Sequence, residues 1–327
     1  MGKHQEITGV KLTVRLLVVT FFVGAISVFF LHEKSAVTQD YRIGIVAPDR
    51  GMNDAVKGFI AGMKKYGYEE KRNTTYITRS GKDGLDAALN AMVKKKVDLI
   101  FVMTTPITKR AKVITANSKL PVVFIMHDPV ASEVIDSLIQ PGGNLTGIQV
   151  HGDAPKALEW LKIIVPGLKR VFVPIGQKEM ASDQSLHDLQ NAAAQIGLSI
   201  VSEIIKTKED LEKVLMNMPE DIDAIFALHS VLIMSNIDVV EKIAIKKKMP
   251  MMSLHQTKKS TITFGVDGYS AGIQVSRLAN QILQGEKPAG IPTELADYYL
   301  GINLQNAQYI GLPISAEILL QADNIIR

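Results

Sequence analysis

The chain has 327 residues, 46% hydrophobic and 21% charged, with a formal net charge of +4 and no cysteine. Such a chain can bury sizeable cores in about two domains, and its composition excludes a disordered or fibrous protein. The mild, evenly spread charge gives no footing for nucleic acid, and the lack of cysteine excludes disulfides, thiolate metal sites, a cysteine nucleophile and a lipid carried on cysteine.

Lys3, Lys11 and Arg15 precede an apolar run from Leu16 to Leu31. That length suits the core of a signal peptide. Counted from Leu12, with Arg15 snorkelling to the interface, the run approaches the about 20 residues of a spanning helix. The flank His32-Glu33-Lys34-Ser35-Ala36 offers no small-x-small cleavage site. Residues 1–36 are therefore expected to be a cleaved signal or an uncleaved membrane anchor at residues 12–31. Both place the rest of the chain outside the cytoplasmic membrane, periplasmic or extracytoplasmic, because the basic residues stay inside.

From Tyr41 the pattern alternates. Strands are expected at Tyr41–Pro48, Thr74–Ser80, Val97–Met103, Pro121–His127 and Thr146–Val150, with helices at Asn53–Tyr66, Gly84–Lys95 and Thr108–Asn117 between the first four. The pattern then restarts. Helices are expected at Asp153–Ile164, Ser182–Ile196, Glu209–Met218 and Ser235–Lys248, and strands at Arg170–Ile175, Leu198–Ile205, Ala224–Leu228, Pro250–Leu254 and Thr261–Val266. A helix at Tyr269–Gln284 and an extended Tyr298–Asn303 follow. Strands and helices alternating at this length predict an α/β fold with two doubly wound parallel sheets. No low-complexity linker separates the halves, which points to two lobes around a hinged cleft. The expected division is lobe 1 at 41–149 plus about 268–297, and lobe 2 at 150–267 plus about 298–327.

Ligands of open parallel sheets bind beyond the carboxyl ends of the strands. The residues at those ends are Asp49, Thr104 and Thr105, and His127 and Asp128 in the first half. In the second half they are Gly176 and Gln177, His229 and Ser230, His255 and Asp267. Carboxylates suit a cation, and hydroxyls with helix N-termini suit an anion, so the set fits a zwitterion such as an amino acid. The competing reading is that each Asp or Thr merely caps the next helix. For the three histidines a shared metal is weighed against ordinary polar cleft residues, and the latter is preferred.

Enzyme motifs find little support. Gly268-Tyr269-Ser270-Ala271-Gly272 matches the GxSxG of a nucleophile elbow, but that fold needs its histidine after the serine, and the last histidine is His255. Gly268 and Gly272 are read instead as permitting a tight turn and close helix packing. No GxGxxG follows the first strand and no GxxxxGK[ST] occurs, so no nucleotide cofactor is expected. Lys246-Lys247-Lys248 ends a helix, where cations complement the dipole. Met249, Met251 and Met252 are read as packing residues rather than metal ligands.

Several segments resemble one family. Phe59-Ile60-Ala61-Gly62-Met63 with Tyr66-Gly67-Tyr68-Glu69-Glu70 and Asn73, Asp128-Pro129-Val130, and Pro141-Gly142-Gly143-Asn144-Leu145-Thr146-Gly147 form one set. Gly265-Val266-Asp267 and Ile302-Asn303-Leu304 with Gly311-Leu312-Pro313 form another. Together they are similar to the ABC-transporter substrate-binding proteins related to the streptococcal tryptophan-binding lipoprotein. That resemblance implies a type I periplasmic-binding fold, three crossovers, and a small ligand clamped between lobes, an amino acid and, by the characterised relatives, an aromatic one. It also implies delivery to a membrane permease driven by a separate ATPase, with no catalysis and no cofactor in this chain. It points to Thr104 and Thr105 for a ligand carboxylate, and to Asp128 and Asp267 for an ammonium or the cleft wall. Asp49, Met52, Pro129, His229, Ser230 and His255 complete the expected set. His229-Ser230-Val231 stands where the family commonly has a TDN stretch, and no lipoprotein cysteine is present. The alternative is a membrane-anchored sensor that reports its ligand to a partner.

Overall fold

The computed structural model describes residues 40–48, 54–81, 84–150, 153–177 and 180–327, with the backbone alone at 180–184. The first sheet contains β1 (Tyr41–Ala47), β2 (Thr74–Ser80), β3 (Leu99–Met103), β4 (Val122–His127), β5 (Leu145–Val150) and β11 (Glu294–Leu295). Its order is β11-β5-β4-β3-β1-β2, parallel throughout. β1, β3 and β4 are near-continuous apolar runs because helices cover both faces. Their alternation sorts side chains into two layers. Ile43, Ile45, Leu99, Phe101 and Val123 face α1 (Asp54–Lys65) and α9 (Gly268–Leu283). Val46, Ile100, Val102, Val122 and Phe124 face α2 (Leu85–Lys94) and α3 (Thr105–Thr115).

The second sheet contains β6 (Arg170–Gly176), β7 (Ser199–Ile205), β8 (Ala224–Ala227), β9 (Met251–Ser253), β10 (Ile262–Val266), β12 (Tyr298–Asn303) and β13 (Asn324–Ile326). Its order is β13-β12-β10-β9-β8-β6-β7. Val171, Val173 and Ile175 pack under α4 (Ala154–Ile164) and α5 (Met180–Gln195). Phe172, Ile225 and Ala227 face α6 (Lys208–Met216) and α8 (Ile237–Lys246) on the other side. The chain passes between sheets three times: from β5 into α4, from β10 into α9, and from β11 into β12.

Two helices that are far apart in sequence meet without side chains between them. A Cβ on Gly58 would stand 1.9 Å from the Tyr269 carbonyl oxygen, one on Gly62 2.1 Å from Ser276 Oγ, and one on Gly272 2.1 Å from the Ala55 carbonyl oxygen. All three positions of this α1–α9 contact therefore need glycine, and Gly272 does the packing expected of it. Phe59 completes the joint by stacking on Phe101 of β3, with ring centroids 4.5 Å apart.

Four local expectations need correction. Helix α3 starts at Thr105, not Thr108, because Pro106 sits in its first turn, where a missing N–H costs nothing. The helix expected at Ser235–Lys248 is α8, and a short helix that was not expected, α7 (Val231–Ser235), precedes it, the two separated at Asn236 with ψ 26°. The second sheet is not wholly parallel, since β12 runs antiparallel to β10. The two-residue β11, the three-residue β13 and the short helices α10 (Leu304–Ile310) and α11 (Ala316–Gln321) carry too little periodicity to be read. The apolar segment 12–31 lies outside the described residues; among those described, no helix is long and apolar enough to cross a membrane.

Candidate functional site

The carboxyl ends of the two sheets enclose a cleft of about 250 Å³. The first lobe contributes Met103 from β3, Ile125 and His127 from β4, Val150 from β5, and Ala55, Gly268 and Ala271 from the starts of α1 and α9. The second contributes His229 after β8, Leu254 and His255 after β9, Phe264 and Val266 of β10, Tyr298 of β12, and Asp153, the cap of α4. Apolar side chains form most of the wall, and Phe264 stacks on Tyr298 with centroids 5.5 Å apart. The size is at the small end for ligand pockets, compatible with a single small molecule rather than an oligomer.

The polar groups converge on one cluster. His229 Nδ1 and His255 Nε2 lie 2.7 Å apart, sharing a hydrogen bond in which one ring N–H donates to the other ring nitrogen. Their rings meet edge to face at 4.2 Å. His127, from the opposite sheet, meets the His229 ring edge-on at 5.9 Å. Burial pushes the His229 imidazole down to about 3, and the neighbouring His255 and His127 push the same way. Burial and then His127 hold His255 below its ordinary value. Both rings are thus neutral near pH 7, able to donate from one nitrogen and accept on the other. Among the described residues, no group of three His, Asp or Glu is arranged to hold a metal ion. Asp153 adds a carboxylate whose Oδ1 accepts from Lys156 N at 2.9 Å.

The other expected residues fall differently. Asp49 and Met52 lie outside the described residues. Thr104 and Thr105 stand at the exit of β3. Thr104 occupies the cap position of α3 without a side-chain capping bond, and the Thr105 hydroxyl donates to the His127 carbonyl at 3.3 Å. Asp128 leaves β4 exposed, with Gln149 Nε2 donating to its Oδ1 at 3.5 Å, and Pro129 beside it is buried. Both Thr104 (φ 73°) and Asp128 (φ 41°) have left-handed backbones. A β-branched threonine there is a true conformational outlier, of the kind that clusters at ligand clamps. Ser230 is buried, and its hydroxyl caps α7 by accepting from Ile233 N at 3.3 Å. The Asp267 carboxylate caps α9 by accepting from Ser270 N at 2.8 Å. It lines a separate polar cavity of about 400 Å³ shared with Asp54, Gln256, Lys258 and Asn303. Of the described residues named at strand ends, His127, His229 and His255 line the cleft.

Asp153, Phe264 and Tyr298 were missing from the expected set. Asp153 had a legible signal, an aspartate with Pro155 two residues on, which is a helix start, but nothing in the sequence aims it at a cleft.

A family model described as ABC transporter substrate binding protein matches residues 43–326. The tyrosine-binding protein of Clostridioides difficile (strain R20291) is 25% identical over 304 residues, covering 90% of this chain and 86% of that protein. Two solved structures share the fold. One is a ligand-free, open substrate-binding protein with adhesive properties from Clostridium difficile (TM-score 0.76, 22% identity, 88% of this chain and 99% of that one). The other is an ABC domain in complex with L-Trp from Streptococcus pneumoniae (TM-score 0.73, 21% identity, 88% and 100%). The architecture is thus the type I periplasmic-binding fold.

Proposed function

Because the chain belongs to the family of ABC transporter substrate-binding proteins, we propose that it is an extracytoplasmic receptor for an amino acid, with an aromatic side chain as the best fit, and that it hands this ligand to a membrane permease worked by a separate ATPase. The observation that carries the reading is the cleft itself. Met103, Ile125, Phe264 and Tyr298 give an apolar and aromatic wall, and the neutral histidines and Asp153 add hydrogen-bonding groups. With one nitrogen of each ring spent on the His229–His255 bond, the remaining nitrogens of the pair are one acceptor, suited to an ammonium, and one N–H, suited to a carboxylate. The tyrosine-binding relative and the L-Trp-bound structure support the same ligand class.

Ligand enters between the lobes, binds one wall and draws the other over it. Closure excludes water and strengthens each polar contact with the ligand. The lobes, 41–149 with 268–297 and 150–267 with 298–327, move as units about the three crossings. Thr104, Thr105, Asp128 and Pro129, at the exits of β3 and β4, meet the ligand on closure; Ser230 and Asp267 hold helix starts. The chain is a binder and performs no chemistry of its own. Residues 12–31 tether it to the membrane, or are removed after export.

A thermal-shift screen with the twenty amino acids tests this. A ligand at 100 times its dissociation constant adds about 2.7 kcal/mol, a rise of several degrees. Stabilisation by tyrosine, tryptophan or phenylalanine, abolished in Tyr298→Ala, is expected. A flat response to every amino acid removes the ligand class and leaves the fold.

A further inference from the structure

The end of lobe 1 turned away from the cleft is basic, and it is the end at which the folded chain begins. Resting on the reading that residues 12–31 remain as a tether, we propose that this face docks on the anionic phospholipid surface of the membrane that holds the chain.

Arg42 of β1, and Lys94, Lys95 and Lys96 where α2 turns into β3, line a shallow groove of about 430 Å³ that no carboxylate lines. All four are exposed, and none is in an ion pair among the described residues. Carboxylates are fewer than cations at this end: Asp40 and Glu70 are exposed, Asp98 Oδ2 accepts from Arg42 N at 2.7 Å, and Glu69 pairs with Arg72 at 3.1 Å. At the other lobe's equivalent position, Arg170 opening β6 is paired with Asp221. A second cavity on this face, about 550 Å³, has apolar walls (Pro121, Ile282, Pro288, Ala289) with Lys119, Lys287 and Glu286 also lining it. Ile139 and Tyr66 add exposed apolar surface, at 77% and 44%.

The turns at this end also carry cations. Lys71, Lys96 and Lys119 occupy turns at this end with φ of 66°, 51° and 51°, conformations that favour glycine. A long cation stands at each where a smaller residue would be less strained.

The occupant follows from charge and reach. Ten positions separate Leu31 from Tyr41, a span of at most about 35 Å fully extended. A tethered lobe 1 is thereby held at high effective concentration over the bilayer. Lysine and arginine clusters beside a membrane segment are attracted to acidic headgroups within about a Debye length, with alkyl stems and apolar residues entering the interface.

Absence of native cysteine makes the test clean. The full chain is placed in nanodiscs with one donor fluorophore, at Asn117→Cys on this face or at Ser199→Cys on the far pole, and an acceptor on the lipid headgroups. In phosphatidylglycerol-rich discs, transfer from position 117 should exceed that from 199 severalfold. It should fall to the level seen in neutral phosphatidylcholine discs on adding high salt, and in the Arg42→Gln/Lys94→Gln/Lys95→Gln/Lys96→Gln variant. The salt arm needs no variant to fold. Equal transfer from both poles, or transfer indifferent to lipid charge and salt, with the chain retained on the disc, overturns the docked face alone. Loss of the full chain from the discs overturns the tether and this proposal together.

Discussion

The buried histidine pair predicts a loss of stability on mild acidification. In the folded chain His229 stays neutral down to about 3, while in the unfolded chain it protonates near its ordinary value of 6.5. The unfolded state therefore binds a proton that the folded state refuses. Stability is full above pH 6.5 and falls as pH drops toward 3, where the folded state also protonates. One unit of this difference is worth about 1.4 kcal/mol, so moving from pH 7 to pH 5 removes about 2 kcal/mol through His229 alone. His255, shifted in the same direction, adds to the loss. Carboxylates held low, such as Asp86, Glu209 and Glu317, yield only at lower pH, while Glu241, raised by burial, works in the opposite sense because the folded chain takes up its proton first, so the histidine share is read from the difference between wild type and variant. The assay is urea unfolding at a series of pH values, followed through Trp160, the one tryptophan, which packs against the lobe 2 core. His229→Gln/His255→Gln should flatten the profile between pH 7 and 5. The same loss of stability in wild type and double variant over that window refutes the reasoning.

Three further outcomes are expected. Gly272→Ala drives a methyl onto the Ala55 carbonyl and should cost about 1–3 kcal/mol by chemical denaturation; an unchanged midpoint would show that α9 can shift without penalty. Thr104→Gly releases the φ 73° strain and should stabilise the free protein by about 1 kcal/mol while weakening ligand binding, read by calorimetry; a destabilised variant rules out strain at Thr104. Asp267→Ala removes the α9 cap and should cost about 1 kcal/mol, whereas Asp267→Asn keeps the cap and should cost little. If Asp267→Asn nonetheless loses ligand affinity severalfold, its carboxylate meets the ligand as well as the helix.

Much of this architecture was legible, and the reasons are local. β1, β3 and β4 are apolar runs of a kind that only a sheet covered on both faces accommodates, and their order with the intervening helices already implies parallel pairing. The histidines could be placed at strand ends because ligand-facing positions follow from topology. What escaped depends on contacts between distant segments. Tyr298 and Asp153 enter the cleft from the crossings, whose position no periodicity records. Asp267 and Ser230 carry the same side chains whether they cap a helix or meet a ligand, and only their hydrogen bonds tell which. The antiparallel β12 is also a tertiary choice, since an extended stretch has no preferred direction of pairing.

The α1–α9 joint bears on how the protein is made. Tyr68 donates to Asn280 across 212 positions of chain, at 3.3 Å, beside the glycine contacts. During synthesis, lobe 1 has its first five strands long before α9 exists, so one face of its sheet is covered by α1 alone until residue 283 has been made. Contacts this remote in sequence close slowly. A nascent chain that cannot complete its first core early stays loose, which suits a polypeptide carried across a membrane before it folds. The same late contact locks lobe 1 only after every residue of lobe 2's first five strands is present.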